Sequence, residues 1–261
     1  MVRFWCRYRN FALSVSDPLT TWVFGSSSPL ASSLLRDLTV RSSVVCFGRK
    51  PPEASVDFVE LDFAQPDLVG SSLLLNFRQR RPDGVVFCQR YRPDSGVTDL
   101  DAIKVGLVTE LGPLFRLIEL MEGSTAVHRP LSIVLFSSVA GHQSHPDIPV
   151  YYHVLKAATL AACRALSSRL APRGIRINCL ILGEFLKNPK NRYPRSKLKH
   201  FSGIEKYSLS GRLCTLGDIS RAVQFLLSND AGFITGQELT IDGGLSLIGA
   251  ESLIRLESLI E

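Results

Sequence analysis

The chain has 261 residues, of which 45% are hydrophobic and 21% charged, with a net charge of +6. These proportions suit a globular protein with a substantial core, as one large unit or two small ones. No apolar run approaches ~18 residues, so no membrane-spanning helix is expected, and no basic patch carries interleaved aromatics in the manner of a nucleic-acid binder.

Residues 1–20 read as an extension. Arg3, Arg7 and Arg9 stand there without an acid among the first sixteen residues, and no continuous apolar core marks a secretory leader. An added strand or arm is the expectation, with an arginine-rich import peptide as the other reading. Strands are then predicted near Thr21–Phe24, Ser43–Phe47, Val56–Leu61, Gly84–Cys88, Ser132–Ser137, Arg176–Ile181 and Glu238–Ile241. They are short, rich in Val, Ile, Leu and Phe, and mostly without alternation, as strands covered on both faces are. Between them lie predicted helices near Leu30–Leu38, Leu68–Arg80, Asp101–Met121, Tyr152–Leu170 and Asp218–Leu227, with Asp101 and Asp218 as expected N-caps. Pro113 is expected to kink its helix. Strand–helix alternation of this kind predicts an α/β fold: a Rossmann-type, doubly wound parallel sheet of about seven strands with helices on both faces.

From 184 to 210 the chain turns basic, with seven lysines and arginines against two glutamates between Glu184 and Lys206. It lacks strong periodicity and reads as a lid over the sheet's carboxyl edge. Apolar residues at helical spacing recur in 250–261, a predicted helical tail that packs on its own unit or on a neighbour. The six cysteines (Cys6, Cys46, Cys88, Cys163, Cys179, Cys214) are scattered. Reduced core thiols in a cytoplasmic protein are expected, rather than a zinc site or a disulfide framework.

Three residues carry the chemistry. Ser138 closes the strand Leu131–Ser138, and Tyr152 and Lys156 share one helix face at i, i+4. An unperturbed tyrosine titrates near 10, so bringing it close to neutrality takes roughly 3 units, about 4 kcal/mol of charge stabilisation. A lysine beside it in a desolvated cleft supplies such a term. The set reads as an acid (Tyr152), its tuner (Lys156) and a hydroxyl aimed at a substrate oxygen (Ser138). An amphipathic tyrosine beside a solvated lysine is the plainer alternative. Tyr151 has no lysine at i+4, and His142, His145 and His153 read as loop or surface residues.

With the small-residue helix Ala157–Leu166, the strand after Ala171-Pro-Arg-Gly174 and the run Phe233–Gly244, this set resembles the short-chain dehydrogenase/reductase family from about Thr21 to about Leu247. The resemblance implies one unit over 21–249 that binds a nicotinamide dinucleotide and moves a hydride between it and a small-molecule carbonyl or alcohol. It also implies pairing of the long helices in a homodimer or homotetramer. The family's phosphate loop has glycines at the positions of Gly25, Pro29 and Ala31; only Gly25 is kept. Ser26, Ser27 and Ser28 are expected to offset this with hydroxyl donors, together with the Leu30 amide at the helix N-terminus.

Arg49 and Lys50 follow the second strand, where a basic residue accommodates a 2′-phosphate, so NADP(H) is expected over NAD; a solvated charged turn is the alternative. Asp62 matches the family's aspartate near the adenine, or is a turn residue. Cys88-Gln-Arg90 replaces the usual Asn-Ala-Gly, which puts Arg90 where a ribose approaches the backbone. Glu110 stands for the family's catalytic asparagine, whose main-chain carbonyl holds a water linked to the lysine. Gly183 remains from a Pro-Gly pair. Ser138 lies one residue farther from the tyrosine than is usual. The basic lid, with Arg90 and Arg92, hints at an anionic substrate such as a carrier-protein or coenzyme A thioester, or a phosphorylated or nucleotide-linked sugar. The rival expectation is a non-catalytic binder or regulator with a degraded cofactor site.

Overall fold

The computed structural model describes residues 19–123, 130–188 and 192–258. Seven strands form one parallel sheet. In chain order they are β1 (Thr20–Phe24), β2 (Ser43–Gly48), β3 (Asp57–Glu60), β4 (Gly84–Phe87), β5 (Leu131–Ser138), β6 (Ile175–Leu182) and, after a separate two-stranded pair β7 (Phe185–Leu186) and β8 (Cys214–Thr215), β9 (Glu238–Ile241). The spatial order is β3-β2-β1-β4-β5-β6-β9. Successive strands step outward from β1 to β3, then return to β4 and step the other way. The carboxyl ends of β1 and β4 therefore flank a topological switch, where folds of this type open a crevice. This is the Rossmann-type arrangement the sequence predicts.

The helices are α1 (Pro29–Leu38), α2 (Pro66–Gln79), α3 (Asp99–Glu122), α4 (Val150–Leu170), α5 (Arg195–Tyr207), α6 (Leu216–Leu227) and α7 (Ala250–Ser258). They cover both faces. One core packs α2, α3 and α4 on the sheet through Leu73, Leu114, Leu117, Leu160 and Leu166. The other packs α1 and α6 through Leu34, Leu35, Ile219 and Val223. Double coverage is why β1, β4 and most of β6 are buried along their length and show no alternation.

Three local expectations need correction. Asp101 is not an N-cap: Thr98 is, accepting from the Asp101 N–H at 3.2 Å. Asp218 is likewise displaced by Thr215, which accepts from the Asp218 N–H (3.3 Å) while Asp218 returns a bond to the Thr215 N–H (2.9 Å), a capping box. In both cases the acid sits three residues into the helix, where the dipole favours it. The basic segment is no aperiodic loop either. It carries α5, whose Leu198, Phe201, Ile204 and Tyr207 recur every third residue, with Phe201 buried. α3 runs through Pro113 without ending there. The N-terminal extension up to residue 18, with Cys6, lies outside the described residues, as do 189–191 of the basic segment.

Candidate active site

β5 delivers two serines to the sheet's carboxyl edge with opposite orientations. Ser137 is buried and donates to the Lys156 carbonyl at 2.9 Å, which fastens the end of β5 to α4. The Ser138 Oγ accepts from the Ala140 N–H at 3.3 Å, and its own proton is left for another acceptor. One turn apart on α4 stand Tyr152 and Lys156. The Lys156 ammonium lies 5.3 Å from the centre of the Tyr152 ring, and the Arg90 guanidinium lies 4.6 Å from that same centre. Among the described residues, the Tyr152 N–H donates to the Pro149 carbonyl, and the phenol oxygen makes no hydrogen bond.

Lys156 is almost fully buried and needs a counter-charge. Glu110 of α3 supplies it: its Oε2 is 2.5 Å from the Lys156 Nζ, with the two side chains 5% and 6% exposed. The Glu110 Oε1 accepts from the Tyr91 N–H at 2.9 Å, and the Glu110 carbonyl accepts from the Gln89 amide at 2.8 Å. This gives position 110 a side-chain role beyond the main-chain one expected there. The resemblance implies a main-chain carbonyl joined to the lysine through water. Here the carboxylate also reaches the lysine directly, and Gln89 uses one lone pair of the carbonyl.

The loop after β1 also differs from expectation. Gly25 turns at φ 92°, and a Cβ there would lie 2.5 Å from the Gln89 nitrogen, so only glycine fits between the ends of β1 and β4. Ser26 is not a donor toward the crevice: it is buried and donates to the Lys50 carbonyl at 2.6 Å. The Ser28 Oγ caps α1 by accepting from the Ala31 N–H at 3.0 Å. Ser27 alone of the three has an exposed side chain without a partner among the described residues. Pro29 has no N–H, so the Leu30 amide is the first-turn donor left for an anion. The Leu30 side chain points into the core.

Arg49 and Lys50 are exposed just beyond β2. Asp62 closes a turn into α2, its Oδ1 accepting from the Ala64 N–H at 3.1 Å. Cys88 is buried and its N–H donates to the Phe24 carbonyl at 2.8 Å. At Gly183 a Cβ would lie 2.7 Å from that of Asp242, which holds the end of β6 close to the segment after β9. The histidines face the backbone and the edge: His153 meets the carbonyls of Ala140 (2.7 Å) and His145 (3.3 Å), and His142 pairs with Glu238 (2.9 Å).

Gln89 was not singled out from the sequence. Its amide nitrogen serves Glu110, while its Oε1 is buried without a partner. An orphan acceptor beside Gly25 at the switch point is a group that a ligand hydroxyl would satisfy. A dinucleotide therefore fits the residues present: Gly25, Ser27 and the Leu30 amide at its phosphates, Gln89 at a ribose hydroxyl, and Arg49 and Lys50 beyond β2. The fit is tighter at the other end, where Glu110 and Arg90 crowd Lys156 and Tyr152. The position directly after a strand that ends opposite Gly25 was the one signal in the sequence for Gln89.

Burial governs the thiols. It pushes Cys46 and Cys163 up to about 12 and Cys214 to about 11, with Cys88 and Cys179 also raised. Those five are free. Among the described residues, no group of His, Cys, Asp and Glu is placed to hold a metal, and no helix is long and apolar enough to cross a membrane.

Known proteins give the arrangement a context. A family model described as enoyl-(acyl carrier protein) reductase matches residues 99–246. A tropinone reductase-like protein of Erythroxylum coca is 33% identical over 137 residues, 52% of this chain and 52% of that protein. A 3-oxoacyl-[acyl-carrier-protein] reductase of Haemophilus influenzae is 33% identical over 139 residues, 53% of this chain and 56% of that protein. The chain thus spans about half the length of these curated relatives. Among solved structures, the ligand-free aldohexose dehydrogenase of Thermoplasma acidophilum superposes with a TM-score of 0.75 at 21% identity, over 90% of this chain and 96% of that one. A gluconate 5-dehydrogenase of Burkholderia cenocepacia, solved with NADP and tartrate, gives 0.73 at 21% identity, over 89% and 97%. At such identities the structures attest the fold.

Proposed function

Because the chain belongs to the short-chain dehydrogenase/reductase family, we propose that it is an NADPH-dependent carbonyl reductase, or runs the reverse alcohol oxidation, with Ser138, Tyr152, Lys156 and Glu110 at its reaction centre. The observation that carries this reading is the Lys156 ammonium, buried beneath the Tyr152 ring at the end of β5. The bound nicotinamide would supply the hydride. Ser138 donates a hydrogen bond to the substrate carbonyl oxygen, and Tyr152 gives its proton to that oxygen as negative charge develops there. Positive charge from Lys156 and Arg90 steadies the phenolate that Tyr152 becomes. Glu110 holds Lys156 in place, and so acts on the reaction through its neighbour. Arg49 and Lys50 favour a 2′-phosphate, hence NADP(H) over NAD.

The same proposal takes 21–249 as the catalytic unit, 1–20 as an extension and 250–261 as a tail, in a cytoplasmic protein whose buried thiols stay reduced. It also includes a homodimer or homotetramer. Leu100 (62% exposed) and Phe115 (43%) on α3, with Val154 (37%) on α4, leave apolar surface on the long helices. Sedimentation of the intact chain would show a dimer or tetramer that Phe115→Glu dissociates; a monomer at all concentrations would end that part.

A thermal-shift titration with NADPH and NADH tests the core of the reading. Saturation at 100 times the dissociation constant stabilises the fold by about 2.7 kcal/mol. NADPH is expected to act at lower concentration than NADH, and Tyr152→Phe should remove most turnover of any carbonyl reduced. A second reading, a non-catalytic member that binds or regulates, is favoured by one observation: Glu110 already occupies the lysine that the resemblance assigns to the nicotinamide ribose. No shift with either cofactor would select it.

A further inference from the structure

Arg90 lies over the Tyr152 ring, and Arg92 and Lys187 stand on the two segments that flank it. β4, β5 and β6 are neighbours in the sheet, so the segments leaving β4 and β6 flank the end of β5 at Ser138. Arg90 and Arg92 leave β4, and Lys187 follows β7, which continues from β6 through Gly183. Among the described residues none of the three makes an ion pair, whereas the neighbouring Lys197 is neutralised by Glu184 at 2.5 Å. The Lys187 ammonium, 5.4 Å from the Phe185 ring centre, is held below the usual lysine range. Loss of solvent is the first cause, followed by the charges of Arg90, Arg92 and Lys197 against the opposing pull of Glu184. With Arg90, Arg92 and Lys187 all exposed, their like charges add to one positive field at the surface beside Tyr152.

Arg90 adds geometry to the charge. Its guanidinium sits over the Tyr152 ring, and a stacked guanidinium keeps its in-plane N–H donors free for a planar or tetrahedral anion. Arg49 and Lys50 lie at the end of β2, on the far side of β1 from this group, so a 2′-phosphate bound there leaves the second cluster unanswered.

We propose that Arg90, Arg92 and Lys187 form a subsite for a carboxylate or phosphate carried by the molecule whose carbonyl meets Tyr152. The subsite deepens the reductase reading and rests on it for the nature of that molecule. Substrates of this class carry the anion near the reacting carbonyl. The Arg90 contact then orients that carbonyl toward Tyr152 and Ser138.

Two arms test it with the full chain. In the first, acetoacetate and inorganic phosphate are titrated calorimetrically with no cofactor present. Binding should weaken about tenfold in Arg90→Gln and in Lys187→Gln, weaken with added salt, and be unchanged in Arg173→Gln, a matched charge change at the opposite edge of the sheet. The stronger of the two probes separates carboxylate from phosphate. In the second, NADPH-dependent reduction of acetoacetate is compared with its methyl ester, and of dihydroxyacetone phosphate with dihydroxyacetone. The anionic member should have the lower KM, and the gap should close in Lys187→Gln, a position away from the Tyr152 ring. Anion binding that ignores both substitutions overturns the subsite, even where neutral carbonyls are reduced. Anion binding that obeys them, with no reduction of any probe, upholds the subsite and rejects the reductase reading.

Discussion

The two ends of the sheet solve burial differently. Around β1 to β3 the interior is aromatic: the Phe24 ring is stacked between Phe47 (4.7 Å, 9° between planes) and Phe87 (4.6 Å, 15°), with Trp22 tilted against Phe47 at 5.1 Å. Around β5 and β6 the strands are aliphatic, and the buried feature that matters is a charge pair, Lys156 with Glu110. Aromatic burial is non-directional and tolerates exchange for another large apolar residue. A buried ion pair has low net worth as a unit, yet each member is costly to remove alone. One end of the molecule is thus set by volume, the other by mutual dependence.

That contrast can be broken by substitution. Glu110→Ala should cost about 3–5 kcal/mol in urea unfolding, because Lys156 is left buried and unpaired; Glu110→Leu combined with Lys156→Met should recover most of it. Phe24→Ala should cost a similar ~3–5 kcal/mol, and no second substitution across the stack should rescue it. If the double variant at 110 and 156 is no more stable than Glu110→Ala, the mutual dependence is absent.

A smaller effect sharpens the comparison at the surface. Arg212, with Thr215, holds the Asp218 carboxyl well below the usual carboxylate range. An unfolded aspartate titrates near ~3.9, so the unfolded chain takes up the proton first. The stabilisation is complete above roughly pH 5 and is lost as the pH falls through the folded-state value. Asp218→Asn should flatten the acid limb of the stability curve and lower stability at neutral pH by about 1 kcal/mol through the capping box. An acid limb unchanged in slope would remove Asp218 from the account. Smallest, Ser28→Ala should cost about 1 kcal/mol or less by uncapping α1, measured as a shift in the urea midpoint. An unmoved midpoint would mean that the Ala31 amide finds another acceptor.

How far the sequence reached follows the same division. Strands buried on both faces, such as β1 and β4, show themselves as unbroken apolar runs. All seven strands of the sheet, the half-exposed edge strands β3 and β9 included, are legible to within two residues. Helix starts are misread at Asp101 and Asp218 because an acid three residues into a helix resembles a cap when threonine is overlooked. α5 is hidden by its lysines, although its every-third apolar spacing was available. In the candidate site, residues linked by local spacing, such as Tyr152 and Lys156, can be read. Those linked by packing cannot. Glu110 reaches Lys156 across 46 positions, and Gln89 reaches Glu110 across 21. No periodicity encodes such contacts. The Ser26 hydroxyl is turned inward by the Lys50 carbonyl, another meeting that only the folded chain brings about.

The coupling of position 110 to position 156 also shapes what this lineage can become. An apolar residue at 110 would strand a cation in the interior, and one at 156 would strand an anion. Either step passes through an unstable ancestor, so the two codons can change safely only in concert. Drift elsewhere in the crevice is uncoupled from this pair, and the two positions act as a ratchet on the chemistry that descendants can explore.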